Sequence, residues 1–160
     1  MSRLTGFARI LWEVVADSHA HKVINSAFVQ AVKSGRLPRN IFNRFLSLDH
    51  GYLVQYGRAA ADIYRKIDAP HRPFLQGVKE ATDLERQRIH AVLKKENFSL
   101  DIRDETWCAY GAHICNVAQA EAPAVGVAAI FTCILFFDEM GADFRKLNIP
   151  KASSARNAKK

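Results

Sequence analysis

A carboxylate lies in the middle of a predicted apolar helix face, and this pattern has the clearest chemical meaning in the sequence. The residues of this face recur at three- and four-residue steps: Phe42, Phe45, Leu46, Asp49, Tyr52, Leu53 and Tyr56. Because a buried carboxylate without a partner is costly, Asp49 needs a hydrogen bond from a neighbouring helix or a ligand. The first alternative is purely structural. The second predicts a pocket in which Asp49 holds a ligand and Tyr52 frames it.

Cys133 is a second candidate for chemistry, and it lies within the apolar run IFTCIL. It is either a buried, inert thiol, whose pKa an apolar environment raises, or a nucleophile activated by a nearby base or cation. Cys108 and Cys115 are seven residues apart on one helix face and are expected to be packing residues. The sequence contains no CxxC pair and no Cys–His zinc spacing, which favours free thiols in a reducing compartment.

The histidines do not form a metal-binding pattern. His19 and His21 are two residues apart and cannot share one helix face, and Glu85 and His90 are five apart. A di-iron site would need Glu-x-x-His pairs on two helices, which the sequence lacks. We therefore expect no metal and no other cofactor, with a haem-binding module on His19 or His21 as a minor alternative. The remaining histidines considered are expected to be surface or satisfied core residues: His50, His90 and His113.

Composition and charge exclude several classes of protein. The chain has 160 residues, 49% of them apolar, and a net charge of +7. The basic residues of the last sixteen positions are not accompanied by aromatic residues or a nucleic-acid motif, so no nucleic-acid partner is expected. The most apolar segment, residues 122–137, is too short to span a membrane and is predicted to be a core helix. Arg3, Arg9 and Glu13 interrupt any signal-peptide run, so a cytoplasmic protein without membrane contact is expected.

The elements that must position these residues are all helical. The periodicity and the turn residues predict five helices, at residues 4–33 with a break near 17–19, 38–67, 73–95, 104–119 and 122–144. The core candidates of the third helix are Phe74, Val78, Leu84, Ile89, Val92 and Leu93. We expect one all-α domain over residues 1–148, followed by a basic, disordered tail over 149–160.

Three stretches together resemble the TenA-type thiaminase II family. The first contains a Gly-x-Leu-Pro turn and then DHGYL, and the second is RIHAVLKKENFS. The third combines Ala109-Tyr110 with a small-residue helix that carries Cys133 and, eight residues later, Gly141. Each motif is weak alone, but their order and spacing agree over residues 25–145. The resemblance implies a haem-oxygenase-like bundle of five to six helices, shortened at the C-terminal end.

The same resemblance implies a function and a set of site residues. Family members hydrolyse thiamin or its aminopyrimidine breakdown products, so the expected ligand is an aminopyrimidine or thiamin. By position, Cys133 matches the nucleophile and Asp49 the carboxylate that binds the aminopyrimidine. Tyr52 and Tyr110 match aromatic pocket residues, and Phe137 stands where a tyrosine is usual. Relatives are commonly tetramers, so a homo-oligomer, a dimer or a tetramer, is expected.

Departures from the family pattern keep a second function class open. Family members continue beyond the point that corresponds to Lys160, and that segment supplies a further pocket tyrosine and a catalytic glutamate. Phe137 lacks a hydroxyl, and Arg86 stands one turn before His90, where an acid is common. The first class is thus an aminopyrimidine hydrolase with a cysteine nucleophile. The second is a shortened, non-catalytic relative that binds a small heteroaromatic ligand or a protein partner.

Overall fold

The computed structural model describes residues 6–11, 13 and 17–146, which fall into two compact units. One unit is formed by residues Leu37–Leu135. The other comprises the described residues up to Arg36 and those from Phe136 onward. The predicted tail at residues 149–160 lies outside the described residues, and the single-domain boundary at residue 148 stays a prediction.

The N-terminal residues form three short helices: α1 (Gly6–Leu11), α2 (Asp17–Ile24) and α3 (Ala27–Lys33). The predicted break at residues 17–19 was wrong, since these residues form the first turn of α2, and the chain breaks instead at residues 25–26, which we did not predict. Ser26 starts α3 by accepting a hydrogen bond from the Val29 amide at 3.3 Å. Gly35 has a φ of +66° and follows the end of α3, a backbone conformation that glycine adopts without steric cost.

The remaining helices match the predicted ones within about two residues, the usual uncertainty of helix ends. They are α4 (Arg39–Lys66), α5 (Arg72–Lys95), α6 (Glu105–Ala120) and α7 (Pro123–Lys146), with a 3-10 turn at Ala69–His71 before α5. Pro38 precedes α4, where its missing N–H removes no helical hydrogen bond. The Asp104 carboxylate caps α6 by accepting from the Thr106 amide at 3.1 Å and the Trp107 amide at 3.4 Å.

The core of the Leu37–Leu135 unit surrounds the C-terminal half of α4. Its buried apolar residues come from four helices: Tyr52, Tyr56, Ala59, Ala60, Ile63, Leu75, Ile114, Ala118 and Ile130. Lys66 closes the end of α6 by donating to the carbonyls of Gln119 at 3.2 Å and Glu121 at 2.6 Å. These contacts fix α6 against α4, and α4 and α6 carry two of the predicted site residues, Tyr52 and Tyr110.

Our prediction for the buried face of α5 was only partly right. Ile89 and Leu93 are buried, but Phe74, Leu84 and Val92 are exposed. The buried face instead carries Leu75, Thr82, Ile89 and Leu93. These residues repeat at seven- and four-residue steps and therefore lie on one side of the helix, whereas the exposed apolar residues fall beside it. An apolar residue at helical spacing does not by itself define which side meets the core.

The apolar segment of α7 packs into this core, as the sequence predicts. Ile130 is 1% exposed, and Gly126 is buried against Ile63 and Ala118. Within the described residues, no helix combines the length and the apolar character needed to cross a bilayer.

Replacing Gly126 with alanine is expected to destabilise the protein, because a Cβ there would lie 2.8 Å from Cγ1 of the fully buried Ile63. Overpacking of this kind costs about 1–3 kcal/mol, which outweighs the gain of about 1 kcal/mol in helix propensity. The control is Gly77→Ala on α5, where the new methyl group meets no atom within 4 Å. Urea unfolding should show a lower midpoint for Gly126→Ala and an unchanged or higher one for Gly77→Ala. Equal midpoints would contradict the close approach of α7 to α4.

Candidate ligand-binding site

Asp49 is a buried carboxyl group without a protein partner. It is 8% exposed, and in the described part of the chain no hydrogen bond or ion pair reaches it. Burial, with a smaller contribution from the Glu85 carboxylate, raises the pKa of Asp49 to about 6. The purely structural explanation, a hydrogen bond from a neighbouring helix, therefore finds no support among these residues.

Asp62, further along α4, is a buried carboxylate whose hydrogen-bond partners the protein supplies. It is 6% exposed, accepts a hydrogen bond from the Gln119 amide at 3.1 Å and pairs with Arg65. Among the described residues, the protein therefore satisfies one of these two buried carboxylates of α4 and leaves the other without a hydrogen bond or ion pair.

Tyr52 lies one helical turn after Asp49 on α4 and packs against aromatic rings of α6. The rings of Tyr52 and Tyr110 are stacked, with centroids 5.5 Å apart and planes 13° apart. Tyr56 and Trp107 complete the cluster, with centroids 5.7 Å and 6.0 Å from that of Tyr52. Tyr52 is 5% exposed, whereas Tyr110 is 41% exposed, so the stack reaches from the core to the surface. Such flat, largely apolar walls suit the face of a heteroaromatic ligand.

Cys133 belongs to the same group of side chains, since the thiol and the Tyr52 hydroxyl perturb one another's pKa. The Tyr56 hydroxyl donates to the Ile130 carbonyl at 3.0 Å and thereby holds the Cys133 segment of α7 against α4. Burial raises the pKa of the Cys133 thiol, and the Asp49 carboxylate raises it further. The Tyr52 hydroxyl acts in the opposite direction, because a donor stabilises the thiolate. At neutral pH Cys133 is therefore a thiol in the unliganded protein.

The Tyr52 hydroxyl is the other polar group at this site without a hydrogen-bond partner. It is buried beside the Cys133 thiol and the Tyr110 hydroxyl, but neither meets it in hydrogen-bond geometry within the described residues. Burial and these neighbours raise its pKa well above the usual value, so Tyr52 stays protonated. Within the described structure, the Tyr52 hydroxyl is therefore a hydrogen-bond donor without an acceptor, and it lies beside the Cys133 thiol.

The structure thus brings together four of the five predicted residues, Asp49, Tyr52, Tyr110 and Cys133, all within the Leu37–Leu135 unit. The fifth, Phe137, belongs to the other unit and is 50% exposed. Two contributors were missed as site residues, Trp107 and Glu85. Trp107 joins the cluster through its contact with Tyr52, and the Glu85 charge acts on Asp49 through tertiary packing that leaves no local signal in the sequence.

A cavity of about 690 Å³ lies between α4, the loop at residues 100–104 and α6. Tyr52 and Trp107 line it together with polar groups such as Gln55 and Arg58. Asp49, Tyr110 and Cys133 do not line it. Within the part of the chain that the structure describes, no three His, Cys, Asp or Glu side chains are placed to hold a metal ion.

A solved structure shares this arrangement of helices. The chain superposes on the crystal structure of a TenA family transcription regulator from Silicibacter sp. TM1040 with a TM-score of 0.83. The two are 23% identical, and the match covers 92% of this chain and 68% of the other. The chain has the TenA fold. The all-α, haem-oxygenase-like bundle and the resemblance seen in the sequence are thereby confirmed at the level of the fold.

Sequence comparison connects this TenA-like chain with a protein of thiamine biosynthesis. It is 27% identical over 149 residues to the thiamine biosynthesis multifunctional protein ThiED of Corynebacterium efficiens. The match covers 91% of this chain, which spans about a fifth of the length of that relative (20%). No family model matches the chain.

Proposed function

We propose that this TenA-like chain binds an aminopyrimidine, and that it hydrolyses thiamin or an aminopyrimidine breakdown product in thiamin salvage or degradation. The observation that supports this most directly is Asp49, a buried carboxyl group that has no partner among the described residues and lies one helical turn from the Tyr52–Tyr110 stack. The similarity to a thiamine biosynthesis protein agrees with the same field of metabolism.

An aminopyrimidine fits the chemistry of Asp49. A carboxylate accepts hydrogen bonds, and the ligand offers an exocyclic amino group and a ring nitrogen that can carry a proton. With a pKa of about 6, Asp49 can share a proton with that nitrogen at little cost. The Tyr52 and Tyr110 rings provide flat neighbours for the pyrimidine ring.

Cys133 is the proposed nucleophile. Its thiolate would add to the heteroaromatic ring, and the leaving group would depart with a proton. Water would then attack the covalent intermediate, the bond to sulfur would break and the thiol would be restored, so one difficult displacement becomes two easier steps. The nearby Tyr52 hydroxyl would stabilise the thiolate by hydrogen bonding. Because the thiol pKa is raised in the unliganded protein, only the small thiolate fraction present near neutrality would attack, and this fraction grows as the pH rises.

The proposal is tested by incubating the purified protein with thiamin and, separately, with the aminomethylpyrimidine. We expect release of hydroxymethylpyrimidine, measured by liquid chromatography, and a rise in melting temperature with either ligand. If neither ligand is hydrolysed nor raises the melting temperature, both the hydrolase and the aminopyrimidine site are wrong.

A second candidate function is a binding protein without turnover. The raised pKa of Cys133 favours this candidate. Burial and the Asp49 charge both suppress ionisation of the thiol, and only the Tyr52 hydroxyl among the described groups that shift this pKa lowers it. A rise in melting temperature without product release would decide for this candidate.

We also propose that the chain acts as a cytoplasmic homo-oligomer. The three thiols are free, which suits a reducing compartment. Tyr110 is 41% exposed although it belongs to the proposed site, and a second copy covering it would complete the pocket wall. Light scattering of the purified protein tests the assembly.

A further inference from the structure

A small cavity of about 250 Å³ lies between α4 and α5, apart from the Asp49 site. Its lining contains His50 from α4 and four residues of α5: Asp83, Arg86, Gln87 and His90. The α5 residues lie within two turns, with Asp83 and Gln87 four residues apart and Arg86 and His90 four residues apart, so they share one side of the helix. Nothing in the proposed hydrolysis uses these residues.

The residues of this lining offer several hydrogen-bond donors, among them the permanently charged guanidinium of Arg86. The rings of His50 and His90 have centroids 6.4 Å apart, and Arg86 lies on the same side. Asp83 is the one acid among these lining residues, and it pairs both with Lys79 at 2.8 Å and, more loosely, with the Arg86 guanidinium at 3.8 Å. The Nε atom of Arg86 is buried without a hydrogen-bond partner among the described residues.

These groups oppose one another in the unliganded protein. Burial lowers the pKa of His50, and the neighbouring Arg86 and His90 lower it further. An anion between them would reverse this repulsion, because it would pair with the guanidinium and with both imidazolium groups. A metal ion does not fit this lining, because Arg86 repels cations and the described residues offer no group of three metal ligands here.

We propose that this cavity binds a tetrahedral oxyanion, either free phosphate or the phosphate group of a monoester. The planar guanidinium of Arg86 offers two parallel donors that match two phosphate oxygens, and His50, His90 and the Gln87 amide supply further donors. A cavity of about 250 Å³ is smaller than the pockets that enclose whole cofactors. It therefore suits one phosphate group, with any attached ester remaining outside.

The test is a titration of the full chain with inorganic phosphate and with phenyl phosphate, followed by NMR of the histidine ring protons. We expect saturable shifts of His50 and His90 and a higher pKa for His50 in the bound state. Tighter binding of phenyl phosphate would identify a monoester, and equal or weaker binding would identify free phosphate.

A matched pair of substitutions separates this site from general charge attraction. Arg86→Gln should weaken phosphate binding by at least about tenfold, because the loss removes a charge-assisted pair of hydrogen bonds. Arg88→Gln, on the same helix but paired with Glu85 at 3.5 Å and outside the cavity lining, should change it less than about twofold. Arg86→Lys keeps the charge and should bind with intermediate affinity.

Equal weakening by the two glutamine variants, or the absence of saturable shifts at His50 and His90, would overturn the proposal and leave nonspecific attraction. Circular dichroism confirms that each variant is folded before binding is compared. The readout does not involve thiamin or product release, so this inference and the proposed hydrolase fail independently of each other.

Discussion

Cys133→Ser is expected to lower hydroxymethylpyrimidine release by at least about a thousandfold, because a serine hydroxyl is a far weaker nucleophile than a thiol at the same position. Substrate affinity should stay within a fewfold of the wild type, since Asp49 and the stacked rings of Tyr52 and Tyr110 are retained. Single-turnover assays measure the first effect, and the ligand-induced rise in melting temperature measures the second.

The control for this variant is Cys115→Ser on α6. Cys115 is also partly buried with a raised thiol pKa, but it donates to the Gln55 carbonyl at 3.3 Å and lies in the lining of the larger cavity. Its replacement should leave turnover unchanged. If both variants remain active, the nucleophile is another group, and if both lose activity, the loss reflects folding.

The pH dependence of turnover follows from the same thiol. Burial and Asp49 raise the pKa of Cys133, so the thiolate fraction of the free protein is small at neutral pH and grows as the pH rises. The ratio kcat/KM, which reports ionisations of the free enzyme, should therefore increase above neutrality. A ratio that falls with rising pH would exclude attack by the Cys133 thiolate.

Asp49→Asn is expected to abolish aminopyrimidine binding and, at the same time, to stabilise the unliganded protein at neutral pH. Binding is lost because an amide replaces one of the two acceptor oxygens with an NH2 donor and cannot share a proton with the ring nitrogen. Stability rises because the substitution removes a buried charge that has no partner in the described structure. The gain in the free energy of unfolding should be about 2–3 kcal/mol, the equivalent of the pKa difference.

The sign and the pH range of this gain follow from the pKa of Asp49. Its value is raised from 3.8 to about 6, so between these values the folded protein binds more protons than the unfolded chain. The contribution of the wild-type carboxyl to stability is therefore fully present below about pH 4 and is lost as the pH rises through about 6. Denaturant unfolding should show wild type and variant nearly equal in acid and separated at neutral pH.

The matched control is Asp62→Asn, at the other buried carboxylate of α4. Asp62 pairs with Arg65 and accepts from Gln119, so its neutralisation should lower the free energy of unfolding by about 1–2 kcal/mol instead of raising it. A loss of stability in Asp49→Asn as well would show that Asp49 is a structural residue and would remove the main support for the ligand site.

The sequence determined the helices and the identity of the central site residues. The ends of α4 to α7 were predicted within about two residues because caps, prolines and hydrophobic periodicity act over a few residues of chain. Asp49 and Tyr52 were found from a local pattern, because Tyr52 belongs to one apolar face of a single helix and Asp49 interrupts that face. The resemblance that added Tyr110 and Cys133 is likewise carried by short motifs.

Only the tertiary structure decided what those residues meet. Whether Asp49 has a partner depends on which side chains of α5, α6 and α7 reach it, and the same is true of the Glu85 charge beside it. The buried face of α5 and the cluster of His50, Arg86 and His90 depend on the rotation of α5 against α4. Helix periodicity shows which residues share a face of a helix, but it does not show which face a neighbouring helix covers. That depends on packing between residues that are distant in the chain.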